Sequence, residues 1–179
     1  MMAGRSVLMV ALVGTALLAS MAGRTQQAPA ANPLDTVPDK MPFDIPYGAP
    51  ISLERASVAI AAAVAEAKKH DWKLNVAVVD SGGNLVAFQR MDGAQLASIQ
   101  VSEHKARAAA TFRRETRVFE DAIQLKQNYY VMTLDGIVAS RGGIPLIEGG
   151  KIVGAIGCSG GTGSQDEATW TAAASTINK

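Results

Sequence analysis

Two strand–turn–strand patterns set between helical patterns predict an α+β domain with an antiparallel sheet. The first runs from Asn75 to Gln89 around Ser81-Gly82-Gly83-Asn84, the second from Ile144 to Ser159 around Glu148-Gly149-Gly150. The order helix, hairpin, helix, short helix, hairpin, helix excludes a doubly wound parallel sheet. At 179 residues the chain suits one ordinary domain, and with only 5% aromatics its core must come from Ala, Val, Ile and Leu.

The first 22 residues read as a signal peptide. Arg5 is a minimal positive region, Val7 to Leu18 is apolar or small, and Ser20-Met21-Ala22 fits small-x-small cleavage. The apolar run is short for a membrane span and no second run follows it, so the processed protein is expected to be soluble and periplasmic or secreted. Residues 23–50, rich in Pro, Ala, Gln and Asn, predict an extended or disordered leader, with Met41, Phe43, Ile45 and Tyr47 able to pin its end to the domain or to a neighbouring subunit. The domain proper is expected over 51–179.

Ser52 can cap a helix from Leu53 to about His70, with Ala56, Ile60, Ala63, Val64 and Ala67 at helical spacing. Asn75–Asp80 and Leu85–Gln89 form the first hairpin, which ends in Arg90-Met91-Asp92-Gly93. Gln95 to about Phe112 predicts a second long helix, with Leu96, Ile99, Ala106 and Ala110 facing a core and Ser98, Glu103, Lys105 and Arg107 on its other side. Thr116 can cap a shorter helix through Leu125, and Tyr129-Tyr130-Val131-Met132 is open between extended segment and loop. In the second hairpin Gly154 and Gly157 invite close approach of another backbone or a flat ligand. The strand runs into Ser159-Gly160-Gly161-Thr162-Gly163, and a capping box of Ser164 and Glu167 is expected to open the last helix. A glycine-rich loop feeding a helix N-terminus suits an anion, or simply close packing.

Several chemistries are absent from the sequence. Cys158 is the lone cysteine, so no intramolecular disulfide forms, and its apolar strand predicts a buried, inert thiol. The net charge of +1 without a basic block argues against nucleic acid as a partner. No Walker loop, His-Glu-x-x-His pair, Gly-x-Ser-x-Gly elbow or Cys-x-x-Cys-His motif is present.

Val76-Ala77-Val78-Val79-Asp80-Ser81-Gly82-Gly83-Asn84-Leu85-Val86-Ala87-Phe88-Gln89-Arg90-Met91-Asp92-Gly93-Ala94 resembles the first signature of the GlcG/HbpS-like haem-binding family, which includes the C-terminal domain of PduO-type proteins. Lys105-Ala106, Gly142-Gly143-Ile144-Pro145-Leu146, Val153 to Gly161 and Asp166 fit the rest. The resemblance covers nearly everything from Ile51 onward. It implies a three-layer α/β/α domain around a five-stranded antiparallel sheet, assembled as a homo-oligomer, with non-covalent haem binding in some members. The axial ligand is not shared across the family, and His104 stands where a small or neutral residue is expected.

Haem needs an apolar slot, an axial donor and cations for its propionates. His104 and His70 are the candidate imidazole donors, with Tyr129, Tyr130, Met91 and Met132 as others; Arg90, Lys105 and Arg107 are the candidate cations, beside the Gly142-Gly143 turn. A second reading is an enzyme or binding protein for a small organic acid or carbonyl compound. There Arg90 or Lys105 holds a carboxylate, and Asp80, Asp92 or Asp166 is the candidate for proton transfer if burial raises its pKa. A third reading is an oligomeric structural partner, in which these charges pair between subunits.

Overall fold

The computed structural model describes residues 36–178, so the expected signal peptide and the leader up to residue 35 lie outside the described residues. The chain divides at Asp39, and the fold below is that of the unit Lys40–Lys179. Its elements are α1 (Leu53–Lys69), β1 (Asn75–Asp80), β2 (Leu85–Arg90), α2 (Ser98–Thr111), α3 (Arg117–Gln124), a 3-10 turn (Tyr129–Thr133), β3 (Gly143–Glu148), β4 (Lys151–Ser159) and α4 (Gly163–Ala174). Among the described residues no helix is long and apolar enough to cross a membrane.

The sheet has four strands in the order β2-β1-β4-β3, every neighbour antiparallel. Central β1 and β4 are buried almost throughout, and the strand period of two splits their side chains between two layers. Val76, Val78, Ile156 and Cys158 pack with α1 and α4 residues such as Ile60, Val64, Trp170 and Ala173. On the other face Ala77, Val79 and Ala155 meet Ala106, Ala109 and Ala110 of α2.

The expected fifth strand is therefore corrected: among the described residues the sheet has four. The place beside β4 beyond the end of β1 is filled by the segment entering α1. Ile152 N donates to Pro46 O (2.8 Å), Gly48 N to Ile152 O (2.7 Å) and Ile51 N to Val153 O (2.8 Å). The result is one isolated parallel bridge between Tyr47 and Ile152. Pro46 and Pro50 lack an N–H and bracket the contact, which stops it from growing into a strand. The remaining β-prone run, Tyr129–Thr133, winds as a 3-10 turn.

Two further expectations change. α4 starts earlier: Thr162, not Ser164, is its N-cap, accepting from Gln165 N at 3.3 Å while the Gln165 side chain accepts from Thr162 N at 2.8 Å. Thr-x-x-Gln carries the same capping chemistry as Ser-x-x-Glu, and the earlier start turns Asp166 inward. α2 begins later than Gln95, which leaves Leu96 70% exposed, while Ser98 and Lys105, expected on the outer face, are buried. The cause is the approach of α2 to β4. A Cβ at Gly157 would stand 2.1 Å from Ser102 O and 2.6 Å from Ala106 N, so only a bare strand backbone admits the helix.

Candidate functional site

The sheet end formed by the start of β1 and the ends of β2 and β4 gathers most of the singled-out residues. Lys105 and Asp166 meet there inside the protein. Their Nζ–Oδ2 distance is 2.8 Å, and the side chains are 2% and 3% exposed. Lys105 Nζ also donates to Cys158 O at 3.3 Å, and Asp166 Oδ1 accepts from Gly161 N at 3.1 Å. Burial pushes the Asp166 carboxyl up; the Lys105 ammonium and the Gly161 N–H oppose this, and the net shift is upward. Burial likewise pushes the Cys158 thiol far up, which makes it a poor nucleophile.

Gly142 and Gly143 roof this pair. Gly142 has φ +127°, and a Cβ there would stand 2.7 Å from Cys158 O and 2.8 Å from Lys105 Nζ. Gly143 N donates to Thr116 Oγ1 at 3.0 Å, and a Cβ on Gly143 would fall 2.4 Å from Lys105 O. The two glycines thus seal the pair against solvent. Arg141, just before them, is held by Glu120 (Nε–Oε1 2.7 Å; backbone N–Oε2 2.6 Å) and by Glu167 (Nη1–Oε2 3.2 Å). Sequence reasoning passed over this Arg141–Glu120–Glu167 network, because its members lie on three separate elements.

Arg90 and Asp92 lie elsewhere on the same sheet end. Both are exposed and line a ≈ 340 Å³ cleft with Val64, Lys68, Lys73, Gln89 and Met91. Asp80 is at the other end of β1: Arg90 pairs with Asn75, five residues away, or roughly 16 Å along a strand. Asp80 Oδ1 accepts from Gly82 N (2.8 Å), Asn84 N (2.9 Å) and Asn84 Nδ2 (3.2 Å). Partial burial pushes this carboxyl up, but the hydrogen bonds from Asn84, Gly82 and Gly83 outweigh it and hold the group below its ordinary value. Asp80 is a turn residue, and the condition of a raised pKa set for it as a base is not met. The five candidates for a catalytic site, the carboxylates Asp80, Asp92 and Asp166 and the cations Arg90 and Lys105, therefore occupy three separate places.

His104 projects from the exposed side of α2, one residue from inward-facing Lys105. It lines a ≈ 250 Å³ cleft with Arg107, Asp135, Gly136, Ile137 and Val138. Among the described residues its ring makes no hydrogen bond, whereas Arg107 donates from Nε to Gly83 O at 3.2 Å. His70 is engaged at the end of α1. Its ring stacks on Trp72 at 4.4 Å, and its Nε2 lies 3.2 Å from Glu66 Oε1. Among the described residues no group of three or more His, Cys, Asp or Glu side chains is arranged to hold a metal ion.

Arg114 is a second residue that sequence reasoning passed over. It is half-buried just past α2, with Phe43 stacked on its guanidinium at 3.4 Å from the ring centroid and Phe119 at 5.5 Å. The sequence signal was the Phe-Arg-Arg run at 112–114 together with the apolar spacing in the leader.

Comparison with known proteins agrees with this architecture. Protein GlcG of Escherichia coli is 40% identical over 109 residues, 61% of this chain and 81% of that protein. An uncharacterised 15.0 kDa protein of Citrobacter freundii is 39% identical over 121 residues, 66% of this chain and 85% of its own length. Klebsiella pneumoniae protein ORFY superimposes with a TM-score of 0.69 at 29% identity, over 79% of this chain and 97% of that one. HbpS gives 0.68 at 29% identity, over 80% and 100%. The haem complex of PduOC gives 0.65 at 27% identity, over 72% and 96%. The family model described as haem degrading protein HbpS-like matches residues 51–175, and the chain belongs to that family.

Proposed function

We propose that this protein binds haem non-covalently, with His104 as the axial donor, and that it does so as an exported homo-oligomer in the periplasm or outside the cell. The observation that carries the reading is the His104 cleft. An imidazole without a hydrogen-bond partner among the described residues, a guanidinium one turn further along α2, and the aliphatic Ile137 and Val138 line one concave site. These are the group types haem requires: a nitrogen donor, a propionate partner and an apolar wall. Bound there, haem would supply a redox-active iron. Arg107, with its Nε tied to Gly83, keeps its terminal nitrogens for a carboxylate. The family description and the PduOC haem complex support the same class of ligand. Lys105 supports the site from within, since its ammonium is spent on Asp166. His70 is the weaker donor because Glu66 and Trp72 already hold its ring.

A second reading draws on the Arg90 cleft, where Arg90, Lys68 and Lys73 surround an apolar floor of Val64 and Met91. That arrangement suits a small organic acid. One experiment separates the two: haemin titration of the wild type, His104→Ala and Arg90→Ala, read by the Soret band. The haem reading expects a defined band at one haem per chain, moved or lost in His104→Ala. A weakening of about tenfold confined to Arg90→Ala would favour the Arg90 cleft instead. Identical spectra in all three proteins would overturn His104 as ligand.

A further inference from the structure

We propose a second ligand site on this chain, for a flat two-ring carboxylic acid, anchored by Arg114 and gated by Phe43; it does not rest on the haem reading. The site is a ≈ 360 Å³ cavity walled by Phe112, Phe119, Val131 and Leu134, with Arg114 and Lys126 as its cations and no carboxylate in its lining. Aromatic walls with two cations and no counter-charge fit an amphipathic anion. Among the described residues Arg114 has no ion-pair partner. Its one side-chain hydrogen bond runs from Nε to Phe112 O at 2.9 Å, so both terminal nitrogens are left for a ligand carboxylate. Burial holds this guanidinium below its ordinary pKa, in keeping with a cation short of a partner.

Phe43 occupies the position such a ligand's ring would share. It lies 3.4 Å over the guanidinium and also borders a neighbouring ≈ 460 Å³ cavity, so it stands as the partition between the two. Its backbone has φ +64°, a left-handed conformation that bulky side chains rarely adopt. The surroundings hold the residue there at a conformational cost, so a backbone move that carries the ring away relieves strain. A volume near 360 Å³ takes a two-ring body.

The test uses 2-naphthoate as probe, followed by its own fluorescence on the full chain. Saturable binding is expected, weakened by about tenfold or more in Arg114→Gln and for the neutral analogue 2-naphthylmethanol. Phe43→Gly removes the ring at a backbone angle glycine accepts, and is expected to tighten binding by about threefold or more. Saturation in Phe43→Gly alone would also support the gate. Should Arg114→Gln fail to fold, the neutral analogue decides the anchor. The proposal is overturned by no saturation in either the wild type or Phe43→Gly, by equal affinity for acid and alcohol, or by a Phe43→Gly affinity no better than wild type.

Discussion

A lysine side chain that is 2% exposed has lost nearly all of its hydration, and Lys105 replaces it with Asp166 and the Cys158 carbonyl. Each charge of this pair is tolerable only because of the other. Lys105→Met leaves Asp166 buried and raises its already raised carboxyl pKa further. A folded-state pKa above the unfolded value contributes stability that is present below the unfolded pKa and lost as pH rises through the folded one. The loss in Lys105→Met should therefore be small near about pH 4 and reach about 3–5 kcal/mol at about pH 7. Urea midpoints at both pH values check it, and equal losses would refute the charge argument. Adding Asp166→Leu should recover most of the neutral-pH loss. Both residues are legible in the sequence as charges beside glycine signatures, but the pair is not, because its members are 61 positions apart. The reverse holds for Asp80 and Arg90, close in sequence and parted by the length of β1.

Among the elements, β4 and α2 depend on each other most tightly. Gly157 lets α2 cross the strand, with Ser102 O 2.1 Å from where a Cβ would be, and Gly154 admits the Val79 carbonyl of β1 at 2.3 Å in the same sense. Gly157→Val forces the helix off the sheet, because the clash is with backbone that no rotamer change can relieve. A loss of about 3 kcal/mol or more is expected, at the upper end of overpacking costs, read from the unfolding midpoint. Gly149→Ala, at a turn where a Cβ meets nothing within 4 Å but φ is +56°, should cost less, about 1 kcal/mol. Equal effects of the two substitutions would show that α2 can retreat freely. This dependence explains why both hairpins are legible from alternation and glycine turns while the strand count is not. Each hairpin is specified locally, whereas the fate of residues 46–51 depends on how far β4 outruns β1, a long-range register. The early start of α4 is hidden for a related reason: two overlapping capping boxes share one stretch, and burial of Asp166 selects between them.

At the scale of the whole molecule, one stretch of chain carries a dense group of exposed apolar side chains. Leu125, Tyr129, Tyr130 and Met132 are 75%, 54%, 49% and 63% exposed, and they lie on and just before the 3-10 turn. Residues of this size crowded at one exposed turn mark an interaction surface more often than chance exposure does. The sheet edges point the same way. β3 carries Pro145 and is capped by Asn178, whose Oδ1 accepts from Ile147 N at 2.7 Å, so its outer edge is closed to another strand. β2 forms the opposite end of the sheet, with no strand beyond it among the described residues. A second copy of the chain is therefore the expected occupant, through the Tyr129–Met132 surface, the β2 edge, or both. Light scattering at micromolar concentration should give a dimer or larger. Replacing Tyr129 and Met132 together by Glu should shift the mass toward the monomer with unchanged far-ultraviolet circular dichroism, because neither side chain supports the core. A monomeric wild type would refute assembly altogether. An assembled double variant would remove the apolar turn from the interface and leave the β2 edge to carry it.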